Sequence, residues 1–465
     1  MTHTENHPRS GVPSHVTVDI TDFAYGGQGI GRVDNHVVFV DGAVAGDRDV
    51  TVDIDAERSS ASLWRGGART IGHRSSLRRN ATISCPAAEN GAGCCDFLEI
   101  APDKSAEVKA SITADQMRRI GHFDVEPTCE TLPPYRGWRT RMRLAVDHEG
   151  RAGLRVKSGH RIVTNAVCSQ AAPGLMDGLD TLRFTPGAEV ILALDSNDIR
   201  HIVEVDAGAP SKQRSGTSTT RSRTSRRGRR GRSTILEGGN YCVERISDNA
   251  ALTPSELSNN LVENSGGAQG SAQSTEGRTF ILPPTAFWQA HRGAPTRYCE
   301  LVRELLPEVH GGVAWDLYGG IGLFADILAE KTRGPVDSVE IDKNACTWGR
   351  RSLNTLADPS FSPSSIRFLT SRVDRAWSSL RRNNKGGVDL VVLDPPRKGA
   401  GTKVIGQIAA AHPQVVVHIA CDPATGARDY AAWLDHGYEM SSMRVIDAFP
   451  GTHHMEIITV FTERS

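Results

Sequence analysis

The sequence predicts an α/β protein, with a doubly wound, mostly parallel sheet in the C-terminal half, preceded by a β-rich region and a small N-terminal barrel. Three observations lead to this fold class. From residue 282 onward, short β-branched runs alternate with helix-period segments, which is the pattern of strands joined by crossover helices. Before that point, apolar and polar residues alternate at period two, as in half-buried strands. Finally, 465 residues exceed what one hydrophobic core accommodates, so we expect about three domains.

Composition narrows the class of protein. With 38% hydrophobic and 23% charged residues, the chain has the composition of a globular protein, and no apolar run reaches the roughly 20 residues of a membrane helix. Residues 1–13 are polar, lack the apolar core of a signal peptide and are expected to be disordered. We therefore expect a cytoplasmic protein that does not associate with membranes, and we expect it to be a monomer.

The net charge of zero, from 54 basic and 54 acidic residues, hides one basic segment. Residues 211–232 contain eight arginines and one lysine but no acidic residue. Their Ser, Thr, Gly and Arg composition cannot form a core, which predicts a disordered surface insertion. Such a segment binds phosphates through its charge and could add nonspecific RNA affinity. It could at the same time be an insertion that the chemistry does not require.

Residues 14–72 are predicted to form a small β domain. Apolar–polar alternation around Val16, Val37 and Val50 predicts short strands, which glycine clusters separate. The motif GGQGIG at 26–31 is a poor dinucleotide fingerprint, because no helical pattern follows it. The stretch AYGGQGIGRVDNHVVFVDGAVAGD resembles the TRAM domain, an OB-like barrel attached to RNA-modifying enzymes. This resemblance implies an RNA-binding domain.

The region 73–240 is predicted to be a central β-rich domain with a cysteine loop. Cys85, Cys94 and Cys95 lie in this loop, and Cys168 follows in a second loop. Thiolates are the usual ligands of iron–sulfur clusters, so these four residues are candidate ligands. The spacing is irregular, because Cys94 and Cys95 are adjacent and neighbouring side chains do not easily point at one site. A group of reduced, partly buried thiols is the alternative.

Arginines alternate with other residues in YRGWRTRMRLAV at 135–146. On a strand, Arg139, Arg141 and Arg143 would form one face, and Trp138 and Met142 the other. Arginines beside an aromatic ring suit an RNA backbone and an unstacked base. A solvated face of an edge strand is the alternative.

The region 241–465 is predicted to be the α/β domain. Its predicted helices are 295–306, 323–330 and 344–356. Its predicted strands are 312–318, 336–341, 388–393, 415–420, 443–448 and 457–461. Ligands of such sheets bind at the carboxyl ends of the parallel strands, so residues that follow these strands are site candidates.

Three strand ends in this region carry candidate cofactor residues. Tyr318 follows Asp316 in DLYGGIG, whose glycines allow a tight turn and close approach of a ligand. Glu340 ends the next strand, where a carboxylate would bind the ribose hydroxyls of a nucleoside. Asp394 follows the apolar run 388–393 and precedes two prolines. Without GxGxxG, the pattern favours S-adenosylmethionine over NAD.

Two further residues are candidates for chemistry. Cys421 directly follows a strand and precedes a predicted helix start, whose N-terminus would stabilise a thiolate, although a buried structural cysteine is the alternative. Glu456 precedes the last strand, where a carboxylate would act as a general base, and His453 and His454 are alternatives for this role.

A methyl donor, a cysteine nucleophile and a carboxylate base together predict methylation at carbon 5 of a pyrimidine. That carbon is a poor nucleophile until a thiolate adds to carbon 6. A base must then remove the proton from carbon 5 before the cysteine leaves. This is covalent catalysis on a base that has left its stack.

Six motifs resemble, in order, those of the RNA uracil-C5 methyltransferase family: FWQAH (287–291), DLYGGIG (316–322), VEID (339–342), LDPPRKGAG (393–401), IACDPAT (419–425) and FPGTHHMEI (449–457). The resemblance implies a Rossmann-like class I methyltransferase domain that uses S-adenosyl-L-methionine. The TRAM-like start and the cysteine loop are similar to the ribosomal RNA branch, which implies a uridine of bacterial 23S ribosomal RNA. The alternatives are a tRNA uridine, methylation at nitrogen or oxygen, and a non-catalytic RNA-binding or ribosome-assembly factor.

The resemblance also implies site residues. The catalytic pair would be Cys421 as nucleophile and Glu456 as base. The cofactor and substrate pocket would be lined by Gln289, Tyr318, Glu340 and Asp394. The ligands of a 4Fe-4S cluster would be Cys85, Cys94, Cys95 and Cys168. The chain departs from the family in two ways: the family separates its second and third cysteines by two residues, and it often has a polar residue in place of Leu323.

Overall fold

A computed structural model of the chain describes residues 12–80, 84–157, 159–206, 232–247, 277–353, 366–383 and 387–464. The predicted basic insertion 211–232 lies outside these residues except for Arg232, and so do residues 1–11 of the N-terminus that was predicted to be disordered. Among the helices that the structure describes, none combines the length and the apolar character needed to cross a membrane.

The N-terminal sheet consists of six strands, as the apolar–polar alternation predicts. They are β1 (His15–Val18), β2 (Ile20–Phe23), β3 (Gly29–Val33), β4 (His36–Asp41), β5 (Arg48–Ile54) and β6 (Leu63–His73). Their order is β1-β5-β6-β4-β3-β2, in which β4 and β6 are parallel and the other neighbours are antiparallel. Alternate residues, including Val38, Val40, Val50 and Val52, form its buried core.

Two helices follow the N-terminal sheet. They are α1 (Pro86–Glu89), within the cysteine loop, and α2 (Pro102–Gln116). Helix α2 was not among the elements predicted from the sequence. Its buried face includes Ser105, Lys109 and Thr113, which are spaced four residues apart, so polar residues occupy positions where an apolar stripe would reveal a helix.

The central sheet is antiparallel throughout. Its strands are β8 (Arg141–Val146), β9 (Ala152–Arg155), β10 (Ile162–Thr164), β11 (Glu189–Leu194), β12 (Arg200–Val205) and β13 (Ser233–Glu237), in the order β10-β9-β8-β11-β12-β13. Two more strands, β14 (Cys242–Ser247) and β15 (Gly277–Leu282), form an antiparallel pair.

The predicted RNA-binding surface of residues 135–146 is wrong for two of these residues. Arg141 is buried and forms an ion pair with Glu244. The Trp138 side chain is 1% exposed, and its indole N–H donates to the carbonyl oxygen of Pro450 at 3.2 Å. Within β8, Arg143 alone is exposed. Trp138 lies before β8 and is covered by the later loop at Pro450, and Arg141 is paired with Glu244, so neither side chain belongs to an exposed basic face of the strand.

The C-terminal sheet contains eight strands. They are β7 (Thr128–Thr131), β16 (Ala314–Leu317), β17 (Val336–Glu340), β18 (Ile366–Thr370), β19 (Leu390–Leu393), β20 (Val415–Ala420), β21 (Tyr438–Asp447) and β22 (Glu456–Glu463). Their order is β18-β17-β16-β19-β20-β22-β21-β7. The first five are parallel, β22 is antiparallel to both neighbours, and β7 is parallel to β21.

Helices cover both faces of the C-terminal sheet. They are α3 (Ala294–Leu305), α4 (Ala325–Thr332), α5 (Lys343–Leu353), α6 (Trp377–Asn383), α7 (Thr402–Ala409) and α8 (Pro423–Asp435). In β19, Leu390 and Val392 pack with α3, α4 and α5, whereas Val391 and Leu393 pack with α2, α6, α7 and α8. Both faces of the strand are therefore buried, which explains its continuous apolar run and confirms the predicted doubly wound sheet.

Helix α2 is fastened to the loop 447–456 by a buried lysine. The Lys109 ammonium group is fully buried and forms an ion pair with Asp447. It also donates to the carbonyl oxygens of Phe449 at 3.2 Å and His454 at 2.7 Å. Ser105 donates its hydroxyl to the same Asp447 carboxylate at 2.6 Å. The loop between β21 and β22 is thereby held at three points from one helix.

We predict that Lys109→Met lowers the free energy of unfolding by about 3 kcal/mol or more, because Asp447 stays buried without its cation. Urea denaturation followed by tryptophan fluorescence measures this loss. Lys104→Met is the matched control on the same helix, since the Lys104 ammonium group only reaches Glu107 at the surface, at 3.4 Å. The control should change stability by less than about 0.5 kcal/mol. Equal, small effects of both substitutions would contradict the role of Lys109.

Candidate active site

A cavity of about 1150 Å³ opens at the carboxyl ends of β16, β17, β19 and β20. The catalytic and cofactor residues were predicted to lie at this edge of the sheet. The cavity is lined by all six predicted catalytic and cofactor residues: Cys421, Glu456, Gln289, Tyr318, Glu340 and Asp394. The cysteine loop also reaches it through Cys94 and Asp96.

The turn after β16 is tight and strained. Asp316 is buried and accepts a hydrogen bond from the Ser338 hydroxyl at 2.9 Å, and burial raises the pKa of its carboxyl group to about 7. A Cβ atom on Gly319 would lie 2.2 Å from Oδ2 of Asp316, so only glycine fits there. Tyr318 has a φ of 63°, which lies in the left-handed region that residues other than glycine rarely adopt. Such strain is typical of ligand-binding turns.

The carboxylate of Glu340 at the end of β17 has a fixed orientation. Its Oε2 accepts from the backbone N–H of Gly320 at 3.1 Å, and its Oε1 accepts from that of Asp342 at 2.6 Å. The next residue, Ile341, is 64% exposed and lines the cavity, as does the buried side chain of Leu323. Remaining carboxylate lone pairs beside an exposed apolar side chain suit ribose hydroxyls and a purine ring.

Asp394 lies directly after β19, on the cavity wall. Burial raises the pKa of its carboxyl group to about 7. The loop that follows is fixed from α8, because the Asp429 carboxylate accepts from the backbone N–H groups of Ala400 at 2.6 Å and Gly401 at 3.1 Å. The position of Asp394 is thus fixed by β19 before it and by the loop after it, which hydrogen-bonds to Asp429.

Cys421 lies directly after β20 and is partly buried. The predicted stabilisation of its thiolate by a helix N-terminus stays a prediction. The N-terminus of α8 is capped by Asp422, whose carboxylate accepts from the backbone N–H of Thr425 at 2.8 Å. Burial, followed by the nearby Glu456 and Asp394 carboxylates, raises the pKa of the Cys421 thiol to about 12. The thiol is therefore protonated in the free protein.

Glu456 is the first residue of β22. Because Ala420 pairs with Ile457 in the antiparallel register, Cys421 and Glu456 lie at the same edge of neighbouring strands. The Glu456 residue is 7% exposed, and its Oε2 has no hydrogen-bond partner among the described residues. Burial, with the neighbouring Asp394 carboxylate, raises its pKa well above the ordinary range. When this carboxyl group is ionised, its high pKa makes it a stronger base toward a proton of a ligand, and its unpartnered oxygen is available to accept that proton.

Two histidines precede Glu456, and they differ in environment. The Nδ1 atom of His453 lies 2.6 Å from the Asp96 carboxylate, which also contacts Lys157 at 2.9 Å. Burial lowers the pKa of His454 to about 3, so its ring is neutral. That ring lies 3.3 Å from the Arg397 guanidinium group. His454 therefore acts as a hydrogen-bond acceptor and not as an acid at neutral pH.

Gln289 and Phe287, from the FWQAH motif, line the cavity in different ways. Gln289 is buried, whereas Phe287 is 77% exposed. Two tyrosines near the site were not predicted. Tyr298 of α3 is fully buried near Glu456, and burial followed by that carboxylate raises its pKa. Tyr25 comes from the N-terminal sheet, and no local pattern in the sequence indicates that it reaches Cys421.

The four cysteines predicted as metal ligands lie together. The Sγ atoms of Cys85, Cys95 and Cys168 lie within 4.8 Å of one another. The Sγ atom of Cys94 lies 3.7 Å from that of Cys95, so the adjacency of these two residues does not prevent both from joining the group. Hydrogen bonds from Cys168 and Cys95 lower the pKa of the Cys94 thiol to about 4. Cys94 thus favours the thiolate form that a metal ligand requires, whereas hydrogen bonds from its neighbours raise the pKa of Cys95.

Comparison with known proteins identifies the family. A model described as tRNA (uracil-5-)-methyltransferase matches residues 372–464, and a TRAM domain model matches residues 10–60. An uncharacterised RNA methyltransferase of Corynebacterium glutamicum is 38% identical over 464 residues, which span 97% of each chain. The chain belongs to the RNA uracil-C5 methyltransferase family. An uncharacterised RNA methyltransferase of Corynebacterium efficiens is 37% identical over 464 residues, which span 97% of this chain and 95% of the relative's chain.

A solved structure supports the fold of this methyltransferase. The Pyrococcus abyssi tRNA (uracil-54, C5)-methyltransferase, in complex with S-adenosyl-L-homocysteine, superposes with a TM-score of 0.62 and 19% sequence identity. The superposition covers 96% of this chain and 100% of that chain. The predicted class I methyltransferase fold with an N-terminal TRAM domain is confirmed. The methyltransferase is an S-adenosylmethionine-dependent enzyme that acts on RNA.

The raised pKa of Asp394 predicts a pH-dependent stability. Its carboxyl group titrates at about 7 in the folded methyltransferase but at about 3.9 in an unfolded chain. The folded state thus binds the proton more tightly, so this contribution to stability is present at low pH and is lost as pH rises from about 4 to about 7. Asp394→Asn should remove this loss and be more stable than the native methyltransferase at pH 8, by at most about 4 kcal/mol for a shift of about three pKa units.

Urea denaturation at pH 5 and pH 8 measures this difference. Asp180→Asn, at an exposed carboxylate of the central region, is the control and should keep the pH dependence of the native methyltransferase. An Asp394→Asn variant with an unchanged pH dependence would show that Asp394 is not the titrating group.

Proposed function

We propose that this methyltransferase transfers a methyl group from S-adenosyl-L-methionine to carbon 5 of a uridine, through a covalent bond to Cys421 and with Glu456 as the base. The observation that carries the proposal is the position of these two side chains. They lie at the same edge of β20 and β22 and line one cavity with Asp394. A thiol and a buried carboxyl group with a free oxygen are the two groups that this reaction needs.

The residues act in sequence on a uracil ring in the cavity. The Cys421 sulfur adds to carbon 6, and the electron pair of the carbon 5–carbon 6 bond moves toward carbon 5 and the ring carbonyl. When bound, S-adenosyl-L-methionine supplies the methyl group that carbon 5 accepts. Glu456 then removes the proton from carbon 5, the double bond re-forms, and the Cys421 thiolate leaves. Asp394 lies where it can hold the polar edge of the uracil ring.

The cofactor half of the cavity would be formed by Gln289, Tyr318 and Glu340. The strained turn at Tyr318 and the oriented Glu340 carboxylate support this assignment. Glu340 would accept from ribose hydroxyls, and Ile341 would contact the purine ring. The side chains thus divide the cavity between a nucleoside cofactor and a base that has left its stack.

The high pKa of the Cys421 thiol gives this mechanism a requirement. The thiol must lose its proton before it attacks, so uracil binding has to change its surroundings. The uracil ring would occupy the space between Cys421 and the two carboxyl groups. Asp394 would accept the thiol proton, so that Glu456 remains available for the proton of carbon 5. With Asp394 at a pKa of about 7, it is the acceptor that is half ionised at neutral pH.

We predict that Cys421→Ala abolishes methyl transfer to RNA while binding of S-adenosyl-L-methionine remains within about twofold of that of the native enzyme, because the thiol takes part only in the chemical step. RNA containing 5-fluorouridine should form a stable adduct with the native enzyme, since fluorine cannot be removed as a proton. Radioactive methyl transfer, calorimetry and denaturing gels measure these results. Cys129→Ala, at an exposed cysteine of β7, is the control and should behave like the native enzyme. Turnover by Cys421→Ala would exclude the covalent mechanism.

The RNA substrate that we propose is ribosomal RNA, with a uridine of 23S ribosomal RNA as the target. The TRAM domain and the grouped cysteines support this branch of the family. The similarity in fold to a tRNA (uracil-54, C5)-methyltransferase favours tRNA as the second candidate. We place the activity in the cytoplasm, and we expect the enzyme to work as a monomer.

Mapping of 5-methyluridine in cells with and without the gene tests the choice of substrate. We expect one position of 23S ribosomal RNA to lose the modification when the gene is absent, while tRNA keeps its own. Loss from tRNA with unchanged ribosomal RNA would instead establish the second candidate.

We further propose that Cys85, Cys94, Cys95 and Cys168 bind a 4Fe-4S cluster. Their grouped sulfur atoms and the low pKa of the Cys94 thiol fit thiolate ligands. We predict that the enzyme purified without oxygen contains about four iron and four sulfide ions per chain, and that Cys85→Ser lowers both contents. Cys129→Ala should leave both unchanged. A native enzyme without iron would indicate a group of reduced thiols.

A further inference from the structure

We propose that Tyr25 of the TRAM domain is a positioning residue for the reaction, because it holds together the two loops that carry the nucleophile and the base. The TRAM domain would then complete the active site in addition to binding RNA. This inference rests on the proposed function, since it takes Cys421 as the nucleophile and Glu456 as the base.

Tyr25 touches both loops directly. Its hydroxyl group lies 3.5 Å from the carbonyl oxygen of Cys421 and faces the Asp422 carboxylate. Burial and that carboxylate raise the pKa of the phenol, so it keeps its proton and can donate it to either acceptor. On its other side, the ring packs edge-on against His453, with 5.4 Å between ring centroids. His453 lies three residues before Glu456.

The turn that carries Tyr25 has little freedom to move. The backbone N–H of Ala24 donates to the carbonyl oxygen of Gln28 at 2.8 Å, which closes the turn between β2 and β3. Gly27 has a φ of 82°, and a Cβ atom there would lie 2.6 Å from the Cβ atom of Asp96. The turn is therefore pressed against the cysteine loop. Any residue larger than glycine at position 27 would force the two apart.

Ion pairs and a ring contact fix the same junction. Lys157 lies between Asp41 of the TRAM domain, at 3.1 Å, and Asp96 of the cysteine loop, at 2.9 Å. The rings of Phe23 and Phe97 pack at 5.6 Å. The TRAM domain is thus docked on the cysteine loop, and the cysteine loop in turn contacts His453 through Asp96. The contacts with the cysteine loop thus fix the turn that carries Tyr25, while Tyr25 itself contacts the loops that carry Cys421 and His453.

The position of Tyr25 matters for the rate because the reacting groups come from different strands. Cys421 follows β20, and Glu456 begins β22, so their separation depends on how the two loops are held. Asp422 both faces Tyr25 and caps α8, so it links the phenol to the start of that helix. A displacement of about 1 Å at reacting atoms can lower a rate by up to about 100-fold. Removal of one hydroxyl group should have a smaller effect in the same direction.

Tyr25→Phe tests this role, because it removes the hydroxyl group and keeps the ring. The rate of adduct formation with 5-fluorouridine RNA, measured at saturating RNA, should fall about tenfold, while the Kd for RNA stays within about twofold. Thr21→Val is the matched control. It removes a hydroxyl group of β2 that contacts only the backbone of the TRAM domain, at Ile30, and both values should stay within about twofold of native. Melting temperatures confirm that both variants are folded.

A double-mutant cycle with Asp422→Asn locates the effect, since asparagine preserves the helix cap. If Tyr25 acts through Asp422, the double variant should be no slower than the slower single variant. Additive effects of the two substitutions would show that Tyr25 acts through the Cys421 carbonyl group or His453 instead, and would overturn the role of Asp422.

The outcomes separate the two proposals. A Tyr25→Phe variant with native adduct rate, or with weaker RNA binding and an unchanged rate at saturation, would show that Tyr25 only packs or binds RNA. A native enzyme that forms no adduct would overturn the proposed function itself and, with it, the positioning role.

Discussion

The ion pair between Lys109 and Asp447 is the contact on which the rest of the active site depends. A buried ammonium group is costly unless its charge and its donors are satisfied, and here the donors are satisfied by the carbonyl oxygens of the loop 447–456. The loop therefore has one favourable arrangement, in which its carbonyl groups point at α2. Glu456 ends that loop, so the position of the proposed base follows from a cation more than 300 residues earlier in the chain.

Parts of the fold could be predicted wherever burial leaves a pattern in the sequence. Strands β19 and β20 are buried on both faces, and their continuous apolar runs gave their positions to within two residues. Helix α2 could not be predicted, because its buried face carries Ser105, Lys109 and Thr113, which have partners in distant segments. Trp138 and Arg141 show the same problem. The alternation correctly indicated a strand at Arg141, although Trp138 lies before it, and it did not indicate that Pro450 and Glu244 would contact these side chains.

The same distinction applies to the site. Positions at strand ends were predictable, because parallel strands bring their carboxyl ends to one edge, and all six predicted pocket residues line the cavity. The proton affinity of Cys421 was not predictable. It depends on burial of the thiol and on carboxyl groups delivered by β19 and β22. Tyr25 was missed for a related reason, since nearly 400 residues separate it from the cysteine that it contacts.

Strand β7 has a consequence for the biosynthesis of the enzyme. The chain supplies the outer strand of the C-terminal sheet first, leaves to build the central sheet, and returns to add the other seven strands. On the ribosome, α2 and β7 must therefore wait for β21 and β22, which are the last strands to be made. Until then Lys109 of α2 lacks Asp447, and the edge of β7 lacks its neighbour β21. A fragment that starts at residue 241 would lack α2 and β7. The catalytic part of this enzyme is therefore continuous in space but not in the chain.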